Sequence, residues 1–438
     1  MASIRKRGNS YRIHVSNGYD VNGKKIVETT TFTPDPTLTP KKQQEALDEF
    51  VYEFERKVKN GKLLKGDKIT FNEYADHWLK EYAELNLEKT SLTGYRKSIT
   101  NHLIPALGHL KLSKISPLHI QSFYNNLTED GIRLDNKKGI YASSTIRKTH
   151  AVLSSMLSTA VQWQLIEYNP CDRVKVPKTD KKSTRDKNAK KIRNFTIEQT
   201  QVFLDAIERS YPIIHKAHTR KNTSGKESTV KEYTQIYKLP TQLIVFFNLS
   251  IFVGSRKSEL VALTWNDIDF ESRNLIIDKA TVIADEGVYT KAPKNETSER
   301  TITLPRSVID MLKRYRIEQQ EYRLSIGDQW IGDNYIFIQW NGAQMHPDTP
   351  YKAFKKFIER YNSTVENEAD KLPSITLHDL RHTSATLLIA DNVDIRTVAN
   401  RLGHAQTSTT LNIYAEALKK KDEEAANSLE NMLSRKVH

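Results

Sequence analysis

Residues 178 to 194 read KTDKKSTRDKNAKKIRN, with eight basic residues, two acidic ones and nothing apolar before Ile192 except Ala189. No globular core can use such a stretch, so the chain must fold as separate bodies on either side of an interdomain linker. With 438 residues there is room for two or three of them. The chain holds 67 Lys and Arg against 53 Asp and Glu, a net charge of +14. A cation surplus of this size points to a polyanionic partner, nucleic acid first, because each neutralised phosphate releases condensed counterions. A protein kept soluble by its lysines is the alternative that charge alone leaves open. Hydrophobic residues make up 38% and the mean hydropathy is −0.61, enough apolar material for real cores under a wet surface. The longest apolar run, Leu243 to Val253, contains Asn248 and Ser250 and falls short of the roughly 20 residues a bilayer span needs. No apolar stretch follows the basic N-terminus, and Cys171 is the single cysteine. The expectation is therefore a chain that is not exported, has no membrane partner, and works in a reducing cytoplasm.

The sequence divides into three bodies, mainly α with small β elements. In residues 1–65, Tyr11, Ile13 and Val15 alternate with polar residues, Asn22-Gly23 signals a turn, and Ile26 to Phe32 is rich in Val and Thr. A small sheet is expected. Pro40 then opens a helix carrying Leu47, Phe50, Val51, Phe54 and Val58 at helical spacing. Arg5, Lys6, Arg7 and Arg12 sit on or beside the first strands, where a small sheet can enter a DNA groove; the alternative is a solvated sheet face. Residues 66–177 carry helical stripes, such as Val152, Leu153, Met156, Leu157, Ala160 and Val161, that read as core. Linker residues 178–194, with Lys181, Lys182, Lys190 and Lys191, can track a DNA backbone or simply be solvated. The last body, 195–420, begins with Thr196 as a helix cap and is mostly helical with a β interlude. Its polar stretch His215 to Tyr233 is expected to be a surface loop.

Three segments of the last body hold possible chemistry: Gly254-Ser255-Arg256-Lys257-Ser258-Glu259-Leu260, Pro293-Lys294-Asn295, and Leu377-His378-Asp379-Leu380-Arg381-His382. Singly they are weak, since Arg256 near Glu259 is also the spacing of an ordinary helix ion pair. His378 and His382 stand at i and i+4, as zinc ligands do in metalloproteases. Asp379 in place of the Glu of that pattern, and Arg381 beside the site, argue against a metal. Downstream, Arg401-Leu402-Gly403-His404 is followed ten residues later by Tyr414.

Taken in order, G-x-R-x-x-E-L, a hairpin lysine, L-H-D-L-R-H, L-G-H and a tyrosine ten residues on resemble the tyrosine recombinases, or phage integrases. The resemblance covers nearly the whole chain, with 1–65 similar to an arm-type DNA-binding domain and 66–177 to a core-binding domain. It implies that Arg256, Arg381, His378 and His404 hold the scissile phosphate. Tyr414 attacks it to give a 3′-phosphotyrosyl bond, and Lys294 protonates the leaving 5′ oxygen; Lys291, three residues earlier, is the competing lysine. Glu259 is read as orienting an arginine or a helix end. Fixed guanidinium forks suit a crowded pentacoordinate phosphate without a metal. Exchange of one phosphodiester for another of similar energy needs neither ATP nor a cofactor. The resemblance further implies double-stranded DNA with core and arm sites as partner, a homotetramer on a Holliday junction, and, with arm sites, a host DNA-bending factor and an excisionase. It places the chain in a bacterial cytoplasm, on the nucleoid when bound. After Tyr414 the chain reads as a charged helix with Leu418, Ala425, Ala426, Leu429, Met432 and Leu433 as a sparse apolar stripe; the tail, 421–438, is expected to dock on a neighbouring subunit, with packing on its own domain as the alternative. A type IB topoisomerase and a helix-turn-helix regulator built on 385–402 are the competing functions.

Overall fold

The computed structural model describes residues 2–19, 23–59, 67–133, 138–177, 194–221, 227–292 and 299–403, together with 411, 426, 427, 429, 430, 432 and 433. The chain divides into two compact units, Met1–Thr184 and Arg185–His438.

Unit one opens with an antiparallel three-stranded sheet, β1 (Ser3–Arg7), β2 (Ser10–Tyr19) and β3 (Lys25–Phe32), in that order. The alternation of β2 buries Ile13 and Val15 against Leu47, Phe54 and Val58 of α1 (Pro40–Lys59), the face expected from the sequence. A helical body follows: α2 (Phe71–Trp78), α3 (Glu84–Asn86), α4 (Lys89–Ser98), α5 (Ile104–Leu107), α6 (Pro117–Asn126) and α7 (Ser143–Gln162). Two π turns, Leu79–Ala83 and Ile99–Leu103, join α2 to α3 and α4 to α5. Thr70 and Glu73 cap α2 reciprocally, with Glu73 N–H donating to Thr70 Oγ1 and Thr70 N–H to Glu73 Oε2. The stripes read as core are core, with Leu153, Met156, Leu157 and Ala160 fully buried.

Unit two starts at α8 (Ile197–Glu208), capped by Thr196 and Gln199 as expected. The segment expected to be a loop forms strands instead: β4 (Ser210–His215) pairs with β7 (Tyr233–Lys238), and β5 (His218–Lys221) with β6 (Glu227–Val230). Its polar composition hid a hairpin whose backbone pairs with itself while its described side chains stay largely exposed. Periodicity of apolar residues reports burial, and this hairpin buries little. The unit continues with α9 (Thr241–Phe252), α10 (Lys257–Val261), β8 (Ile268–Asp269), β9 (Asn274–Ile277), β10 (Ala280–Ala284), β11 (Gly287–Lys291), β12 (Arg300–Thr303), α11 (Arg306–Ile326), α12 (Thr349–Thr364), α13 (Asp379–Ala390) and α14 (Ile395–Leu402). Strands β12, β9 and β8 form one antiparallel sheet and β10 and β11 a hairpin. α9 is apolar all round because it runs through the core, where Val245, Phe246, Phe247 and Leu249 are fully buried. Among the described residues no helix is long and apolar enough to cross a membrane.

Candidate active site

The buried α9 delivers the chain to a tight turn. Gly254 has φ +68°, and an added Cβ would lie 2.7 Å from Leu402 Cδ2 and 3.0 Å from Ser384 Oγ, so a side chain is excluded by conformation and by space. Arg256 follows at the start of α10. Its backbone N–H donates to Glu259 Oε2 at 3.0 Å and its Nη1 to Glu259 Oε1 at 2.8 Å. Glu259 thus grips both the main chain and the guanidinium of Arg256, whose side chain remains 41% exposed.

Arg381 arrives from α13. It is buried, and its Nη1 donates to the carbonyl of Gly254 at 2.9 Å, so the second arginine is tied to the turn that carries the first. His378 precedes α13, one turn before Arg381. Partial burial pushes its pKa below the ordinary value. The charge of Arg381 and that of Arg256 push the same way, against the opposing pull of Asp379. One imidazole therefore lies in the field of both arginines, and the structure brings Arg256, His378 and Arg381 together. The His382 ring meets that of His378 edge-on, with centroids 5.1 Å apart. Among the described residues no group of three or more His, Cys, Asp or Glu is placed to hold a metal ion.

Burial raises the pKa of Glu259, but the charge and hydrogen bond of Arg300 and the two bonds from Arg256 overcome it and hold the carboxyl below its ordinary value. Arg401, on α14, is half-buried and feels the charge of Arg300. Glu259 is thus shared by two guanidiniums, Arg256 and Arg300, while Arg381 is tied to the Gly254 carbonyl and Arg401 to that of Phe252. The surplus of positive charge is what an oxyanion needs.

Arg300 was not singled out from the sequence, although the signal was present. On β12 it is in phase with Ile302, which is buried, and strand alternation turns an arginine at that position inward. Lys294, His404 and Tyr414 lie outside the described residues, as do Lys181, Lys182, Lys190 and Lys191. Lys291 ends β11, opposite Ala280 and half-buried.

In the N-terminal sheet the four basic residues part company. Arg5 pairs directly with Arg12, and Arg7 with Ser10, so the three arginines share the face opposite α1. Lys6 pairs with Tyr11 on the α1 side, its Nζ 5.8 Å from that ring centroid.

Comparison with known proteins gives the family. The family described as Phage integrase family matches residues 227–421, and the phage integrase N-terminal SAM-like domain matches residues 70–128. The chain belongs to the phage integrase family of tyrosine recombinases. A tyrosine recombinase XerC-like protein of Caldanaerobacter subterraneus subsp. tengcongensis is 26% identical, covering 96% of each chain. The ICEBs1 integrase of Bacillus subtilis is 24% identical over 98% of this chain and all of its own. The solved Tn1549 transposon integrase in complex with transposon right end DNA has a TM-score of 0.59 and 21% identity, covering 82% of this chain and 100% of that one. It shares the fold. This integrase is accordingly an enzyme, a site-specific recombinase of the tyrosine class, with a multidomain α+β fold.

Proposed function

We propose that this integrase cuts and rejoins double-stranded DNA through a 3′-phosphotyrosyl intermediate on Tyr414. The observation that carries the reading is that buried Arg381 bonds the Gly254 carbonyl, in the turn that carries Arg256, with His378 one helical turn before Arg381. Two planar, permanently charged forks hold the non-bridging oxygens of the scissile phosphate and stabilise the charge that gathers there during attack. A free tyrosine titrates near 10, so its proton needs an acceptor. His378, kept neutral by its surroundings, accepts it. Lys294 protonates the departing 5′ oxygen and His404 adds a hydrogen bond to the phosphate. The phosphotyrosyl bond retains the energy of the broken phosphodiester, so a new 5′ hydroxyl reseals the strand by reversal.

Residues 1–65 serve as the arm-type domain, 66–177 as the core-site domain, 178–194 as a linker along the duplex, and 195–420 as the catalytic domain. Arg5 facing Arg12 supports the first assignment, because like charges directly opposite on a sheet are unfavourable until an anion joins them. The described tail residues Leu429, Met432 and Leu433 are exposed, which supports docking of the 421–438 helix on a neighbouring protomer in a tetramer on a Holliday junction. A solved lambda integrase is a tetramer bound to such a junction, with a TM-score of 0.50 to this chain. The element served is a temperate phage or an integrative mobile element, with a host bending factor and an excisionase as further partners and the bacterial nucleoid as location.

The test is a nicked or phosphorothiolate-trapped duplex drawn from DNA flanking the chain's own gene. The wild type should form a denaturation-resistant adduct and Tyr414→Phe none. Tight binding of an intact site by both proteins, with an adduct from neither, would refute the enzyme mechanism.

A further inference from the structure

Arg300 joins the turn that carries Arg256 to the end of α14. Its Nη2 donates to Glu259 Oε2 at 2.7 Å and to Ser255 Oγ at 2.9 Å, both beside Arg256. Its Nε donates to the main-chain carbonyl of Arg401 at 2.9 Å, at the end of α14. The guanidinium also lies against Gly403, whose φ of +68° ends α14; a Cβ there would come within 2.8 Å of Nη1. Gly403 is thus required for the left-handed backbone and for the arginine it faces. With its side chain only 7% exposed, Arg300 is a buried ion held by a carboxylate, a hydroxyl and a carbonyl, the full pairing that such burial demands.

We infer that Arg300 is a positioning residue for strand cleavage: it locks the Arg256 turn to the end of α14, immediately before His404. The inference rests on the phosphotyrosyl reading above. Two consequences follow from its contacts. Glu259 bonds two arginines at once, one carboxylate against two cations, so Arg256 keeps net positive charge for the phosphate. Without Arg300 the same carboxylate would face Arg256 alone and offset it. The chain that leads to His404 and Tyr414 also leaves α14 from a carbonyl fixed to the same guanidinium, so phosphate clamp and nucleophile segment share one anchor. A lysine cannot replace that function fully, because an ammonium lacks the planar fork that bonds different partners from different edges.

The experiment is single-turnover cleavage of the nicked duplex at saturating protein, with DNA affinity measured separately, for the wild type, Arg300→Ala and Arg300→Lys. Misplacement of about an ångström is worth about 100-fold in rate. Arg300→Ala should lose about that much while binding the duplex within about threefold of wild type, and Arg300→Lys should recover about tenfold of the loss. A merely structural arginine would instead lower thermal stability and the active fraction, with the surviving fraction cleaving at the normal rate. Wild-type rates in either variant, or a loss confined to DNA affinity, would overturn the inference. Should Arg300→Ala not fold, Arg300→Lys decides on the same criteria. Failure of the wild type itself to cleave would count against the phosphotyrosyl reading, whereas a cleaving wild type with equally active variants would count against Arg300 alone.

Discussion

Each unit of this integrase holds a buried polar cluster, and the two are built on opposite principles. In the helical body Tyr124 bonds His150 at 2.7 Å between Oη and Nδ1, next to the buried Cys171. Burial drives each group toward its neutral form: the Tyr124 hydroxyl goes up, the Cys171 thiol up to about 12, and His150 down despite the nearby Asp172. Uncharged groups that pair with one another can be kept dry at little cost, and such a cluster is scaffold. In the catalytic body the cluster is ionic, with the buried carboxylate of Glu259 shared by Arg256 and Arg300, and with Arg381 and Arg401 as further cations bonded to main-chain carbonyls. Surplus buried charge is expensive until an anion arrives. The comparison teaches that a site is recognised less by burial or polarity than by charge left over after internal pairing.

If that distinction holds, substitutions in the two clusters must fail in different ways. Arg381→Ala should have the largest effect, lowering single-turnover cleavage by about 10³-fold, the order found when a fixed oxyanion donor is removed, while duplex affinity changes by a few-fold in a binding titration. Glu259→Gln should come next. It strips the shared counter-charge from Arg256 and Arg300, and breaking a buried ion pair from one side costs about 3 kcal/mol, to be read as a lower midpoint in denaturant unfolding. Tyr124→Phe removes one neutral hydrogen bond, a cost of about 1 kcal/mol, and should leave the cleavage rate of the folded fraction unchanged. A cleavage defect in Tyr124→Phe comparable with that of Arg381→Ala would erase the distinction.

The smallest expected effect is on pH. His102 and His150 in the first unit and His378 and His382 in the second all have pKa values below the ordinary one, chiefly through burial. A depressed histidine pKa means that the unfolded chain binds the proton more readily. These groups therefore support the fold above the unfolded value of about 6.5, and that support fades as pH falls below it. Unfolding measured between pH 7.5 and 5.5, on the order of that value, should show stability falling toward acid. Cleavage should carry an additional acid limb from protonation of His378, which substitution of His150 should leave in place.

Much of this was legible in the sequence because it is written in periodicity and motif order. Ile13 and Val15 announced the inner face of the first sheet, Thr196 the start of α8, and the ordered arginines and histidines the family. Three features were not. The hairpin from Ser210 to Lys238 has no buried stripe to betray it. Lys6 could be separated from Arg5, Arg7 and Arg12 only once the strand register was known, because a single residue decides the face. Arg300 shows a buried phase on β12, but its partners Ser255, Glu259 and Arg401 come from distant segments that only the fold assembles. For Glu259 the structure supplied what spacing could not: the sequence suggested one arginine partner, and there are two.

The most direct test is to digest the covalent complex formed by the wild type on a nicked duplex and to identify the DNA-linked peptide by mass spectrometry. The account predicts a peptide containing Tyr414, joined through a 3′ phosphate, with a free 5′ hydroxyl on the released strand. Linkage through another residue, or through a 5′ phosphate, would contradict it.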